Sequence, residues 1–387
     1  MSLVQNISFA IVMYGIVAVL CSGSLSVYAQ EVHGGLDTDH DGLSDSFEKI
    51  LSTHNEKIDT DSDGYSDFLE VKHGYNPLGE GVLAVVSRGP QASKDVSVEE
   101  YNRLNDFFSL LVDIANPRIA LDVLRRSSKN DTRILRSCHE LVHGIGHAAY
   151  AKYKSAQTAL QFHNDMCGSG YLHGVLEAAL GSSHSILKDA HALCVSGDAK
   201  CYHGIGHGFM YFTDNDLPKS LAYCSAYKKE SARKRCSEGV FMENFSSDQL
   251  LHPIRHLNSA DPFALCRKQK KRYKDTCYFY APRYVITLHK DAATLLKQCS
   301  KEGGYRDTCM IGMGSALMKK NIDDPTYVER LCAQAQKTEQ KYCIQGMVSY
   351  YIVHYDSLEE AKKLCPTLSA ANVKTCRKAV ASHSYLF

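Results

Sequence analysis

Three short stretches of this 387-residue chain carry metal-ligand side chains at helical spacing: CHELVHGIGHAAY (138–150), SGYLHGVLEAAL (169–180) and CYHGIGHGFMYF (201–212). Aligned on Gly144, Gly174 and Gly204, they give the pairs His143/His147, His173/Glu177 and His203/His207. Residues four apart share one helix face, so both donors of a pair point the same way. Three such helices side by side would bring six donors to one wall, enough to enclose one or two transition-metal ions. His139 extends the first pair by a turn. The next equivalent stretch, CSEGVFMENF (236–245), puts Glu238 in the column and Glu243 one turn along. Imidazole and carboxylate ligands suit zinc, iron, copper or manganese without choosing among them. A lone histidine is read as a hydrogen-bonded core residue; donors that recur in register are read as a metal site. Phe279, Ile311, Gln345 and Lys378 occupy the column later, which confines the site to the first four stretches.

A second chemistry lies upstream. Residues 37–48 read DTDHDGLSDSFE and residues 59–70 read DTDSDGYSDFLE. Calcium takes six to eight oxygens, and a tightly wound twelve-residue loop with acids at positions 1, 3, 5, 9 and 12 and Gly at 6 supplies them. The expected ligands are Asp37, Asp39, Asp41, the Leu43 carbonyl, Asp45 and Glu48 in one loop. In the other they are Asp59, Asp61, Asp63, the Tyr65 carbonyl, Asp67 and Glu70. The second loop runs into EVKHGYNP, and residues 37–74 resemble thrombospondin type 3-like calcium repeats of extracellular proteins. That resemblance implies calcium-dependent rigidity rather than catalysis. The intervening ILSTHNEKI is too short for the paired long helices of a calcium sensor, so the segment reads as a structural spacer.

The elements that position these residues follow from the cysteines. Apart from Cys21 there are fourteen, and twelve fall in close pairs: Cys194/Cys201, Cys224/Cys236, Cys266/Cys277, Cys299/Cys309, Cys332/Cys343 and Cys365/Cys376, leaving Cys138 with Cys167. Such a pattern reads as a disulfide framework. The second cysteine of each close pair recurs at intervals of 32 to 41 residues, a period suited to stacked helical hairpins. At the end of the chain CIQGMVSYYIVHY, DSLEEAKKLC and PTLSAANVKTC read as an apolar helix, an amphipathic helix capped by Asp356 or Ser357, and the start of the next. In period and hairpins, though not in the TPR Trp-Leu-Gly pattern, this part resembles disulfide-stapled TPR and Sel1-like repeats. The expected architecture is therefore mainly α: a right-handed α-hairpin solenoid over 101–387, preceded by a calcium-loop module (30–78) and a linker (79–100). Glycine recurs at Gly204, Gly239, Gly312 and Gly346, where first helices pack closely or leave room for something bound.

Residues 7–20, ISFAIVMYGIVAVL, followed by small residues up to Ala29, read as a signal peptide over 1–29, with an uncleaved membrane anchor as the rival. The chain is then secreted or held in the cell envelope. Net charge is +1, but 31–74 carries twelve acids against three lysines, which leaves the rest basic. The basic runs KKESARKR (228–235) and RKQKKRYKDTC (267–277) read as solvated loops or contacts for an anionic envelope surface, and nothing suggests nucleic-acid binding. His252 and His256 flank Pro253 in a loop and are weaker ligand candidates. There is no GxSxG elbow, phosphate loop or dinucleotide fingerprint. The functions that fit are an exported calcium-binding protein with a His/Glu metal centre, catalytic or merely metal-capturing, and a non-catalytic scaffold for a protein partner.

Overall fold

The computed structural model describes residues 35–89, 94–194, 198–246, 254, 257–288 and 291–383. The expected export segment, His252, His256 and His289 lie outside them. Among the described residues the chain is mainly helical, with no strand and an isolated antiparallel bridge between Tyr75 and Val82. None of these helices is long and apolar enough to cross a membrane. Helix starts are punctuated by short polar side chains that accept from the first free amides: Ser97, Asn116, Ser155, Asp198, Asp216, Asp291, Asp324 and Ser357. Pro117 and Pro325 follow two of these caps, where a missing N–H costs nothing.

Four long helices carry the histidine column: Cys138–Tyr153, Met166–Gly181, Ala199–Phe212 and Glu230–Ser246, hereafter the first to fourth ligand helices. Each packs along the next. Glycine makes this possible. A Cβ on Gly174 would run into the His143 carbonyl of the first helix, and one on Gly239 into the His203 carbonyl of the third. The recurring glycines thus serve backbone-to-backbone approach between neighbours, which brings the columns within reach of one another.

Seven disulfides join Cys138–Cys167, Cys194–Cys201, Cys224–Cys236, Cys266–Cys277, Cys299–Cys309, Cys332–Cys343 and Cys365–Cys376, with Cα–Cα distances of 5.4–5.8 Å. Six span 7–12 residues and tie neighbouring helical segments together. A loop of that size stabilises by about 2.5–3 kcal/mol in the chain-entropy picture.

Beyond the fourth ligand helix the succession continues through Lys271–Tyr280, Pro282–Leu288, Arg306–Lys320, Gln340–Tyr355 and Ala370–Ala381. It then turns back on itself. The Gln340–Tyr355 helix rests against the second ligand helix, with Val353 Cγ1 beside Gly168. Ion pairs cross the same seam: Arg136 with Asp323 at 2.6 Å, and Lys319 with Glu140 at 2.8 Å. Late helices therefore close the ring that the ligand helices begin.

The acidic-loop segment packs on the helical body. Leu43, Phe47, Leu51 and Val71 share one core with Leu104, Phe107, Phe108 and Leu111 of the helix Val98–Ile114, and the Phe47 and Phe107 rings are 5.5 Å apart. The expected linker is also held down. Val85 N–H donates to Ser127 Oγ (2.9 Å), Ser87 N–H to Asp131 (2.8 Å), and Arg126 donates to the Leu83 carbonyl (2.9 Å). Its Pro, Gly and Ser content marks a boundary, its backbone donors are used on the helical body, and helix begins at Val98 rather than at 101.

Candidate metal centre

On each of the first three ligand helices a donor follows a packing glycine by three residues (Gly144/His147, Gly174/Glu177, Gly204/His207), about 60° around the axis, so the donors flank the close helix contacts. Glu177, buried on the second helix, is the meeting point. His147 Nε2 lies 2.8 Å and His143 Nδ1 3.3 Å from Glu177 Oε2, and His207 Nδ1 lies 3.7 Å from Oε1. His207 Nδ1 also donates to Glu243 Oε2 at 2.9 Å, and its Nε2 is 3.3 Å from His203 Nε2. His173 stacks on His207, with centroids 4.5 Å apart and planes 14° from parallel. Donors bound 2.0–2.2 Å from one tetrahedral ion stand about 3.3–3.6 Å from each other. The His143–Glu177 and His203–His207 separations of 3.3 Å match this, whereas His147–Glu177 and His207–Glu243, at 2.8 and 2.9 Å, are hydrogen-bond contacts.

One ligand atom from each of His139, His143 and His173 can be chosen so that all lie within 4.8 Å of one another. The same holds for His173, His203 and His207, and for Glu177, His207 and Glu243. His143 and His207 each face both neighbourhoods: their Nδ1 atoms turn to carboxylates, and His207 Nε2 turns to His203. The centre thus has a nitrogen-only side and an oxygen-containing side.

Electrostatics keep the nitrogen side neutral. Burial, then the neighbouring histidines, hold His173 and His203 well below the ordinary imidazole range. His139 is held down by burial and by His143. A neutral imidazole is the form that binds a metal. Burial alone would also depress His143, but Glu177 outweighs it and raises the proton affinity. Glu177 is driven the other way: burial opposes ionisation, and His143 with His147 overcomes it. Without an ion, protons do what a cation would do. Two nitrogens remain unsatisfied, His143 Nε2 and His173 Nδ1, both buried and without a hydrogen-bond partner. A buried polar atom left so costs about 1–3 kcal/mol, which a bound ion would recover.

His139 belongs to the centre more fully than its position as an extra turn suggests. Its Nδ1 is 2.6 Å from the Cys167 carbonyl, an acceptor only, so Nδ1 carries the proton and Nε2 is left as the ligand atom. That carbonyl is aimed by a left-handed turn: Cys167, Gly168 and Ser169 have φ of 53°, 75° and 60° before the second helix settles. The disulfide Cys138–Cys167 pins the turn to the start of the first helix. Glu238 is placed apart. It is bonded to Arg235 Nη1 at 2.8 Å and joins none of the donor groups among the described residues, whereas Glu243 does. Five residues along a helix is a rotation of about 140°, so the two carboxylates cannot face the same point.

The centre lies between two cavities. A cleft of about 790 Å³ reaches His143, His147, Glu177, His207 and Glu243. An inner cavity of about 280 Å³ reaches His139, His173 and His203.

The acidic loops are built differently. Asp37, Asp39 and Asp41 converge within 4.8 Å, as do Asp59, Asp61 and Asp63. Asp37 accepts from the amides of His40 (2.8 Å) and Gly42 (3.2 Å), and Asp59 from Ser62 (2.7 Å) and Gly64 (2.9 Å). Gly42 and Gly64 have φ of 106° and 101°, a turn that a side chain would strain. The amides of Leu43 and Tyr65 donate to Asp41 (2.7 Å) and Asp63 (2.9 Å). Glu48 and Glu70 are buried, each with Oε2 lacking a hydrogen-bond partner. Burial and the neighbouring acids push both up to about 7. Asp45 and Asp67 sit outside the two acid trios: both oxygens of each are spent on the amide and hydroxyl of Thr38 and Thr60, at 2.7–2.9 Å. They tie the loop entrance to the helix that follows. Each loop runs into a short helix, Asp45–Leu51 or Asp67–His73, and the first of these also precedes the second loop.

Comparison with protein-family models, with curated proteins and with solved structures finds no match to this chain.

Proposed function

We propose that this is an exported, calcium-braced protein whose helical ring holds a transition-metal centre on His139, His143, His147, His173, Glu177, His203, His207 and Glu243. The observation that carries this reading is Glu177, a buried carboxylate with three histidines from the helices on either side within 3.7 Å, next to two imidazole nitrogens that have no partner. A structural core histidine needs one acceptor; this set has more donors than it can satisfy internally. Zinc, iron, copper and manganese all accept such ligands. The contact with two cavities gives the ions room for an outside ligand, which supports metal-dependent chemistry over plain storage. In this reading the hairpins form a disulfide-stapled solenoid closed into a ring, and the loops at 37–48 and 59–70 hold two calcium ions that stiffen its entrance. The seven disulfides support an oxidising, extracytoplasmic compartment.

Elemental analysis of the purified mature protein tests the assignment. Transition metal in stoichiometric amount is expected, lost in the double variant His143→Ala/His203→Ala while circular dichroism and the disulfide map stay unchanged. Wild-type protein that neither carries nor takes up any of the four metals would leave only the scaffold function.

A further inference from the structure

The inner cavity sits at the hub of the ring and draws its wall from every turn: Ser169, Lys200, Arg235, Tyr280, Ser315 and Tyr350 come from successive helices. One flank is His139, His173 and His203, the nitrogen side of the centre. Met242, Phe279, Ile311 and Val353 make much of the remainder apolar. Five cations also reach this space, and most already have counter-charges. Arg235 is paired with Glu238, Lys319 with Glu140, and Lys200 with Asp165. Lys234 is exposed, as is Asp275.

Arg283 is the exception. It is half-buried at the start of the helix Pro282–Leu288. Its described partners are the Ser246 hydroxyl, at 3.1 Å, and the Tyr280 ring, whose centroid is 5.2 Å from the guanidinium carbon. Both are neutral. Burial keeps the Tyr280 and Tyr350 phenols protonated, so neither supplies a negative charge. The guanidinium is therefore positioned from behind by a hydroxyl and an aromatic face beside His203, whose proton affinity it helps to lower after burial and His207. Among the described residues it forms no ion pair, and Glu238 in the same wall is held by Arg235. A guanidinium fork matches a carboxylate in two parallel hydrogen bonds.

We propose that the inner cavity binds a small organic monocarboxylate, its charge on Arg283 and its apolar body against Met242, Phe279, Ile311 and Val353. A half-buried guanidinium with no ion pair among the described residues favours a monoanion. The cavity lies at the lower end of the volumes that hold small ligands, and its mixed wall fits a compact apolar acid rather than a free inorganic ion. The position beside His173 and His203 makes this acid a ligand or substrate of the metal centre, and that part rests on the function proposed above. Recognition by Arg283 does not.

Titration calorimetry of the full chain with sodium benzoate, calcium present, is the test. Saturable binding is expected, at least tenfold weaker in Arg283→Met with transition-metal content unchanged, and not displaced by benzyl alcohol. Ile311→Trp, which fills the cavity and leaves the cation in place, should block binding as well and carries the test if Arg283→Met does not fold. Absence of saturable binding, or binding unaltered in these variants, would overturn the proposal, as would displacement of benzoate by equimolar inorganic phosphate. Elemental analysis of the same samples separates the two readings. Metal-free wild type that binds benzoate through Arg283 defeats the metal assignment alone, and metal-loaded protein that ignores benzoate defeats this one alone.

Discussion

The acidic loops and the histidine centre gather oxygen or nitrogen donors by opposite means. Each acid trio comes from five consecutive residues, and its geometry is set by local amides, such as those of Gly42 and Gly64 folding back on Asp37 and Asp59. The histidine centre takes one to three side chains from each of four helices, with Glu243 104 positions after His139. Its geometry is set by how closely those helices approach. A local site should therefore fail alone, whereas a distributed one should report on the packing of the whole ring.

The strongest test of that contrast is Glu177→Gln. An amide can neither balance the three histidines nor serve as a strong ligand, so metal affinity should fall by well over the ~100-fold typical of outer partners. Calcium binding, measured on the same protein, should not change. Its counterpart, Glu48→Gln, should halve the calcium stoichiometry and leave transition metal in place. Loss of both metals in either variant would erase the distinction.

Opening Cys138–Cys167 by serine substitution comes next. In the chain-entropy picture a loop of this length is worth about 3.5 kcal/mol. Metal affinity should drop too, because the Cys167 carbonyl that holds the His139 tautomer is released. Opening Cys365–Cys376 should lower thermal stability by about 2.5–3 kcal/mol and leave metal affinity alone. Equal metal loss in the two would mean that position in the ring is irrelevant.

Gly174→Ala is smaller. The new methyl meets the His143 carbonyl, and overpacking of this kind costs about 1–3 kcal/mol. Because the first and second ligand helices must separate, metal affinity should fall even though no ligand is touched. A stability loss with unchanged affinity would show that the centre tolerates looser packing than its spacing implies.

The mildest effect is one of pH on the loops. In calcium-free folded protein Glu48 and Glu70 are raised from the ordinary 4.5 to about 7 by burial and by the neighbouring acids. Their protonated forms favour the fold fully below pH 4.5, and that contribution is lost as pH rises through about 7. Chelated protein should thus melt at a lower temperature at pH 8 than at pH 5, and calcium should abolish the difference. An unchanged melting temperature across that range would place Glu48 and Glu70 outside the calcium sites.

What the sequence could disclose follows the same division. The loops are legible because ligand, turn and cap lie within twelve residues. The histidine column is legible because the donors keep one spacing from a glycine on successive packed helices, so aligning Gly144, Gly174 and Gly204 also aligns the donors. Other features depend on contacts between distant segments. Nothing at Asp45 or Asp67 announces that Thr38 and Thr60 will take their oxygens, and a column of single letters cannot separate Glu238, held by Arg235, from Glu243. The left-handed turn at Cys167–Ser169 that aims a carbonyl at His139 is hidden in an unremarkable CGS. Arg283, in a stretch that reads as ordinary helix, acquires its setting only when the ring closes. The bonds that hold 79–100 to Ser127 and Asp131 are of the same kind: Pro, Gly and Ser mark irregular backbone, whether it is free or strapped down.

That closure has a consequence for the order in which the molecule can be completed. In an open stack each hairpin touches only its neighbours, so folding can advance from the first unit and unfolding can fray from the last. Here Gln340–Tyr355 must return to Met166–Gly181, and Tyr350 and Val353 are wall residues of the hub. The donor side chains are all synthesised by residue 243, yet their enclosure waits for roughly another hundred residues. Until then the histidines line an unfinished groove, open to any ion at hand. The two acidic loops are complete by residue 70 and, on the proposed function, would load calcium at once. The last turns of the chain thus act as a keystone, and a protein truncated before residue 340 should still collect metals while losing control over which ones it keeps.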